Sequence, residues 1–259
     1  MHLVTPVVKK ILIINILIFF VIKIFNFDFI HTLGLRNTYS DYFRPYQLFT
    51  HLFIHSSFGH LLSNMFALLT FGSILEMTIK SKNFIIFYLT TGIGASLLYL
   101  LSSYFEYHDV YTQYITFVTH PTPELFDTYI KQFSSLYNNY YGFIYDFMHD
   151  PNNPAYIEKS VSIVKHLYSC IINIPCVGAS GAIFGILTAF AMFFPNARLS
   201  IFFLPIGVRA KYIIIFYGLY ELYASMNVND NIAHFAHIGG IIIAYFFIKF
   251  YKKLKRQRS

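Results

Sequence analysis

A serine stands among small residues in Gly178-Ala179-Ser180-Gly181-Ala182-Ile183-Phe184-Gly185, and a histidine stands in Ala236-His237-Ile238-Gly239-Gly240. A serine hydroxyl becomes a nucleophile when an imidazole within hydrogen-bond reach takes its proton, and the same imidazole can then protonate a leaving amine. Ser180 lies near the start of an apolar run. At a helix start it sits beside unpaired N–H groups and the positive end of the helix dipole. Those groups stabilise an anion developing next to the serine oxygen. His60 and Asn64 stand four apart near the start of another apolar run, His60-Leu61-Leu62-Ser63-Asn64. Four groups able to do acyl-transfer chemistry therefore occur near the ends of apolar segments.

Each feature also has a plainer explanation. Gly181 and Gly185 form a small-residue face that serves packing alone in many membrane helices. A helix-start serine is often only a cap. A histidine in an apolar segment is often a hydrogen-bonded structural group, and Asn64 is able simply to bond across helices. His51 and His55 are four apart, a spacing also used by metal ligands, but no His-Glu-x-x-His zinc motif accompanies them. His234 lies three residues before His237, nearly on the same face; the spacing to Gly240 favours His237 as the base. No metal and no cofactor is expected. Cys170 and Cys176 are too few for a disulfide scaffold and are read as free thiols, with a single bridge between them as the alternative.

The elements that must position these groups follow from composition. Of the 259 residues, 56% are hydrophobic and only 12% charged, about half the usual charged share of a soluble domain. Disorder, a nucleic-acid-binding tail and an ordinary soluble enzyme are excluded. Apolar runs near twenty residues recur, long enough for a hydrocarbon core of about 30 Å. They predict an all-α, polytopic membrane bundle of six transmembrane helices, at about 11–29, 58–79, 84–104, 177–194, 212–224 and 232–251. The chain is read as one membrane domain over 1–259. A long polar connection over 105–173, rich in Tyr, Asn, Asp and Pro, is expected outside and able to form short helices on the membrane surface. The first run is too long for a signal-peptide core and lacks a small-residue cleavage site, so it is read as a retained span.

Basic residues set the orientation. Thirteen Lys and Arg residues, from Lys9 and Lys10 through Lys80, Lys82, Arg198, Arg209 and Lys211 to the tail ending in Arg258, fall on one side. Five, Arg36, Arg44, Lys131, Lys159 and Lys165, fall on the other. Both termini are therefore expected in the cytoplasm. Spans two, four and six then enter from outside, which brings His60, Asn64, Ser180 and His237 to one depth. Gly181 and Gly185 on span four are expected to pack on Gly240 and Ala244 of span six, drawing His237 toward Ser180.

These motifs together resemble the rhomboid family of intramembrane serine proteases, over most of the chain. The resemblance rests on Gly178-Ala179-Ser180-Gly181 with Gly185, on Ala236-His237-Ile238-Gly239-Gly240, and on His60 through Asn64 followed by Glu76. It extends to Arg44-Pro45-Tyr46-Gln47-Leu48-Phe49-Thr50-His51 leading to His55, and to the stretch from Pro195 through Arg198 to Pro205 and Lys211. It implies Ser180 as nucleophile and His237 as general base, a dyad with no carboxylate. It implies an oxyanion hole from His60, Asn64 and the Ser180 N–H, an aromatic ring at Phe184 stacked near His237, and a structural anchor at Glu76. Three departures stand out. Tyr46-Gln47 replaces a frequent Trp-Arg pair, Ala244 replaces a frequent glycine, and the third connection is longer than in the smallest members.

The function expected is cleavage of a peptide bond in or near the transmembrane helix of another membrane protein. Expected partners are such substrates and the lipid bilayer, not nucleic acid, and the expected location is a bacterial plasma membrane. A polar cavity open to the outside, lined by His55, His60 and Asn64, would admit water. Phe43, Tyr46, Phe49, Leu52 and Phe53 are expected to lie partly in the interface. Two rivals are a non-catalytic rhomboid-like protein that binds or escorts clients, and a transporter built on the clustered histidines. Binding relatives usually lack the serine or the histidine, and this chain keeps both. A transporter would need an intramembrane acid and often internal repeats; Glu221 and Asp230 are the acids near the last two spans, and no repeat is evident.

Overall fold

The computed structural model describes residues 4–25, 28–200, 207–227 and 233–257. Pro205, Asp230, Ile232 and Arg258 lie outside the described residues. The chain divides into two compact units, one of residues 1–35, 44–102 and 175–259, the other of 36–43 and 103–174.

In the first unit each expected span is helical. Helix α1 runs over Pro6–Phe25. It starts five residues earlier than expected and also ends earlier, because Asp28 caps a separate short helix, α2 (Phe29–Leu33). The segment after it carries α3 (Gln47–Thr50) and a 3-10 turn, His51–Phe53. Span two, Phe58–Ile79, is built from α4 (Phe58–Ala67), a π turn (Leu68–Gly72) and α5 (Ser73–Ile79). Ser57 caps it by accepting from the His60 N–H, as short hydroxyl side chains do at helix starts. Helix α6 (Ser81–Thr119) runs fifteen residues past the expected end at 104, leaving the first unit after Ser102. Spans four, five and six are α10 (Ser180–Phe193), α11 (Ala210–Asn227) and α12 (His234–Arg256). A two-stranded antiparallel ladder, β1 (Arg198–Ser200) with β2 (Gly207–Arg209), fills part of the connection between α10 and α11. The sequence reading did not anticipate it.

Among the described residues three helices are long and apolar enough to cross a membrane, Phe58–Ile79, Ser81–Thr119 and His234–Arg256. α10 is apolar but has only 14 residues. α1 carries Lys9, Lys10 and Lys23, and α11 is diluted by tyrosines and Glu221. The apolar core joins α1, the second span, α6, α10 and α12 through Val8, Leu68, Leu75, Phe84, Phe87, Ile186 and Ile248. Many large apolar side chains face outward, among them Ile24, Phe66, Phe216 and Phe246, as expected of helices solvated by lipid tails rather than water.

Glu76 ties one end of this core together. Its carboxylate accepts from the Val7 and Val8 N–H groups and from the hydroxyls of Thr5 and Ser81. It thereby caps the first turn of α1, whose leading N–H groups have no partner within the helix, and holds the turn at Lys80 that joins α5 to α6.

In the second unit the connection over 105–173 is mostly helix. Beyond the end of α6 it holds α7 (Pro123–Lys131), α8 (Ser134–His149) and α9 (Pro154–Ile172). Thr122 and Asn153 cap α7 and α9, each followed by a proline in the first turn, where a missing N–H costs nothing. These helices close on an apolar cluster of Phe117, Phe126, Ile130, Phe147, Val164 and Leu167. Tyr114 stacks on Tyr168 with ring centroids 4.0 Å apart. A single membrane domain with a polar external connection was expected over this chain; the structure gives the connection a core of its own.

Candidate active site

Ser180 is the first residue of α10, so its backbone N–H belongs to the unpaired first turn. The segment leading to it is pinned from two sides. Leu35 and Cys176 exchange backbone hydrogen bonds of 2.9 and 2.8 Å, and the Gly178 N–H donates to the His51 carbonyl at 2.9 Å. Gly178 has φ +120°, a conformation in which a side chain is strained. A Cβ there would also stand 2.6 Å from the His60 ring. The glycine thus lets the chain turn into α10 while the His60 imidazole lies against its backbone. Burial raises the Cys176 thiol to about 12, and both cysteines are free.

His237 lies on the first turn of α12, which begins at His234. Its Nε2 is 2.9 Å from Ser180 Oγ. The approach needs a glycine at 240. At Gly240 a Cβ would meet the Gly181 carbonyl oxygen at 2.0 Å. The expected packing is corrected in part. Gly240 does contact Gly181, but the space beside Gly181 is closed by Ala95 and that beside Gly185 by Thr91, both on α6. The small face of α10 therefore serves the third span as well as the sixth. Ala244 is fully buried.

Phe184, one turn after Ser180, stacks on the His237 ring with centroids 4.3 Å apart and planes 13° from parallel. Asn64 is buried, and its Nδ2 has no hydrogen-bond partner among the described residues. His60 Nδ1 is 3.2 Å from the Ser56 hydroxyl, and its ring meets His55 edge to face at 5.1 Å.

The loop holding His51 is anchored without Trp-Arg. Gln47 is buried, accepts from the Arg44 N–H and donates to the Thr32 carbonyl, to which the Tyr46 hydroxyl also donates. His51 Nδ1 donates to the Gln47 carbonyl at 2.7 Å, leaving Nε2 to face the Ser96 hydroxyl at 3.1 Å. Both ring nitrogens are thus engaged within the protein. Burial lowers His51 to about 4 and His55 to about 3, so both are neutral near pH 7. Of the apolar loop residues in this unit, Leu52 is buried while Tyr46 and Phe49 are exposed. A largely apolar cavity of about 470 Å³ lies among α10, α11 and α12, lined by Thr188, Ile214, Gly218, Ile241 and Tyr245. It does not include Ser180, His237 or Asn64.

A carboxylate stands beside the histidine where the resemblance implied none. Glu221 of α11 is 4% exposed. Its Oε2 is 2.6 Å from His234 Nδ1 and 3.0 Å from His237 Nδ1. The first contact is an aligned hydrogen bond; the second is at bonding distance but off the N–H axis. One ligand atom from each of Glu221, His234 and His237 lies within 4.8 Å of the others, the set among the described residues best spaced for a metal ion. An ion there would need the lone pair of His237 Nδ1, which would force the ring proton onto Nε2 and end its ability to accept from Ser180. The sequence contained a signal for this cluster, an acid within an apolar helix. It did not show which helix that acid would face.

A family model described as the rhomboid domain matches residues 42–112 and 146–253, most of the chain. The chain belongs to the rhomboid family and is an integral membrane protein with a helical bundle fold. The family contains intramembrane proteases and inactive relatives. No curated protein matched the chain.

Proposed function

We propose that the chain is an intramembrane serine endopeptidase that cleaves transmembrane segments of other membrane proteins. The observation that carries this is the 2.9 Å contact between Ser180 Oγ and His237 Nε2 at the start of a helix. In the proposed reaction Ser180 Oγ attacks the scissile carbonyl carbon as its proton passes to His237 Nε2. The carbonyl π pair moves to oxygen, and the Ser180 N–H, Asn64 Nδ2 and His60 stabilise that oxyanion. Collapse re-forms the carbonyl and breaks the C–N bond, and the departing amine takes the proton from Nε2. Water then attacks the acyl carbon, gives its proton to Nε2, and the proton returns to Ser180 as the acid leaves.

The length of α10 supports a site below the membrane surface. Its 14 residues span about 21 Å at 1.5 Å per residue, short of a hydrocarbon core of about 30 Å. A substrate helix must unwind locally to expose its carbonyl, so cleavage is expected near helix-weakening Gly or Pro. The reading includes a bacterial plasma membrane with both termini cytoplasmic; the distribution of Lys and Arg supports that orientation.

The test is labelling by a fluorophosphonate probe in detergent. Wild type is expected to label, and Ser180→Ala and His237→Ala are expected to lose labelling. Absence of labelling in folded wild type, or labelling that persists in Ser180→Ala, favours the non-catalytic rhomboid-like binder instead.

A further inference from the structure

We propose that Glu221 is a positioning residue for His237, so that the site works as a serine, a histidine and a carboxylate. The inference rests on the Ser180–His237 reading above. For His237 Nε2 to accept the Ser180 proton, the ring proton must sit on Nδ1. An Nδ1–H on a largely buried ring needs an acceptor, and Glu221 Oε2 is 3.0 Å away. As Nε2 becomes protonated the ring turns cationic, and a fixed carboxylate stabilises that cation without itself taking the proton.

Glu221 is held for this by His234. The carboxylate is buried 13 residues before His234 and 16 before His237, on the preceding helix. Its Oε2 has two lone pairs, with the His234 nitrogen hydrogen-bonded to it and the His237 nitrogen 3.0 Å away. The bond of 2.6 Å from His234 Nδ1 fixes the oxygen, leaving the second lone pair for His237. The looser contact to His237 suits a resting site, because catalytic hydrogen bonds often tighten only once substrate is bound. Phe184 holds one face of the ring, and Glu221 fixes which nitrogen carries the proton.

The test compares wild type with Glu221→Gln, Glu221→Asp and His234→Gln on a transmembrane substrate in detergent, with thermal midpoints measured alongside. Glu221→Gln is expected to lower kcat about 100-fold or more, by analogy with loss of the carboxylate from a serine-protease triad, with KM within about twofold. Glu221→Asp is expected to recover part of that loss. His234→Gln, which leaves the carboxylate in place, is expected to lose about tenfold or less. A folded Glu221→Gln that keeps kcat within about threefold of wild type overturns the inference, while Ser180-dependent labelling in the same preparations leaves the protease reading standing. A second measurement needs no variant activity. Nitrogen NMR of histidine-labelled wild type, with His237 assigned by difference against His237→Gln, reports which nitrogen bears the proton. Protonation at Nδ1 supports the inference and protonation at Nε2 overturns it, and this result decides if Glu221→Gln does not fold.

Discussion

Gly240 of α12 faces the Gly181 carbonyl so closely that an added Cβ would meet its oxygen at 2.0 Å. Both partners are backbone in packed helices, so neither can swing aside. Gly240→Ala is therefore expected to push α12 off α10. Overpacking of this kind costs about 1–3 kcal/mol or more, and the Ser180–His237 contact would be lost with it. Gly59 is the control, because nothing lies within 4 Å of its Cβ direction. Thermal unfolding in detergent should show a large drop for Gly240→Ala and no drop for Gly59→Ala. Equal midpoints for both would mean the two helices are less tightly joined than described.

The stack of Phe184 on His237 gives a graded prediction. Aromatic contacts of this kind contribute about 0.5–1.5 kcal/mol, or roughly two- to tenfold in a rate. Phe184→Tyr preserves the stacked ring and should keep kcat within about twofold. Phe184→Leu keeps apolar bulk without the ring and should lower kcat about two- to tenfold with KM little changed. If the Leu variant matched wild type, the ring would have no part in orienting the imidazole.

Glu76 should matter for stability rather than for chemistry. Its carboxylate accepts from two N–H groups of α1 and two hydroxyls, and hydrogen bonds to a charged group contribute about 1.5–3 kcal/mol. Glu76→Gln keeps the shape but loses the charge and puts a donor where acceptors are needed. A clear fall in thermal midpoint is expected, with Ser180-dependent labelling retained by the fraction still folded. A variant as stable as wild type but unable to label would contradict this division of roles.

His51 makes the fold sensitive to acid. In the unfolded chain its imidazole titrates near 6.5, and burial in the protein lowers that to about 4. A lowered value means the folded state favours the neutral ring. Its contribution is fully present above about pH 6.5 and is lost as pH falls toward 4. At about 1.4 kcal/mol per pH unit, the loss is on the order of 3 kcal/mol. His55 is lowered further, to about 3, and adds to the same slope. The thermal midpoint of wild type should fall steeply between pH 6.5 and 4, and His51→Gln should flatten that slope whatever its midpoint at pH 7.

The parts of the site that were legible in the sequence are those whose signal is local. Ser180, Gly181, Phe184 and Gly185 lie within two turns of one apolar run, and His237 and Gly240 within one turn of another, so polar and small residues stood out against the background. Glu221 was visible as an acid in an apolar helix, but its meaning depends on which way α11 is rotated. Only packing against α12 brings it to His234 and His237. The helices of 105–173 were obscured for a different reason. α7 to α9 mix tyrosines and polar residues with apolar ones, and their apolar positions close on a cluster of their own rather than forming a continuous apolar run. The antiparallel ladder of β1 and β2 is too short, at three residues a strand, to leave a periodic pattern.

Asn64 carries the last prediction. Its side chain is buried, and its Nδ2 donor is without a partner among the described residues. Leaving such a donor unmade costs about 1–3 kcal/mol, so its presence calls for a compensating role. A donor held ready for an oxyanion is such a role, because the bond forms only as charge develops. Asn64→Ala removes the donor along with its burial cost, and the protein should be as stable as wild type or more so. Its kcat should nevertheless fall about 10²–10³-fold, the range for loss of one oxyanion donor, with KM nearly unchanged. His60→Ala should lower kcat as well, but with some loss of stability, because the ring also packs against Gly178 and His55. Stability lost with no change in kcat at Asn64 would mark the residue as a structural link between helices instead.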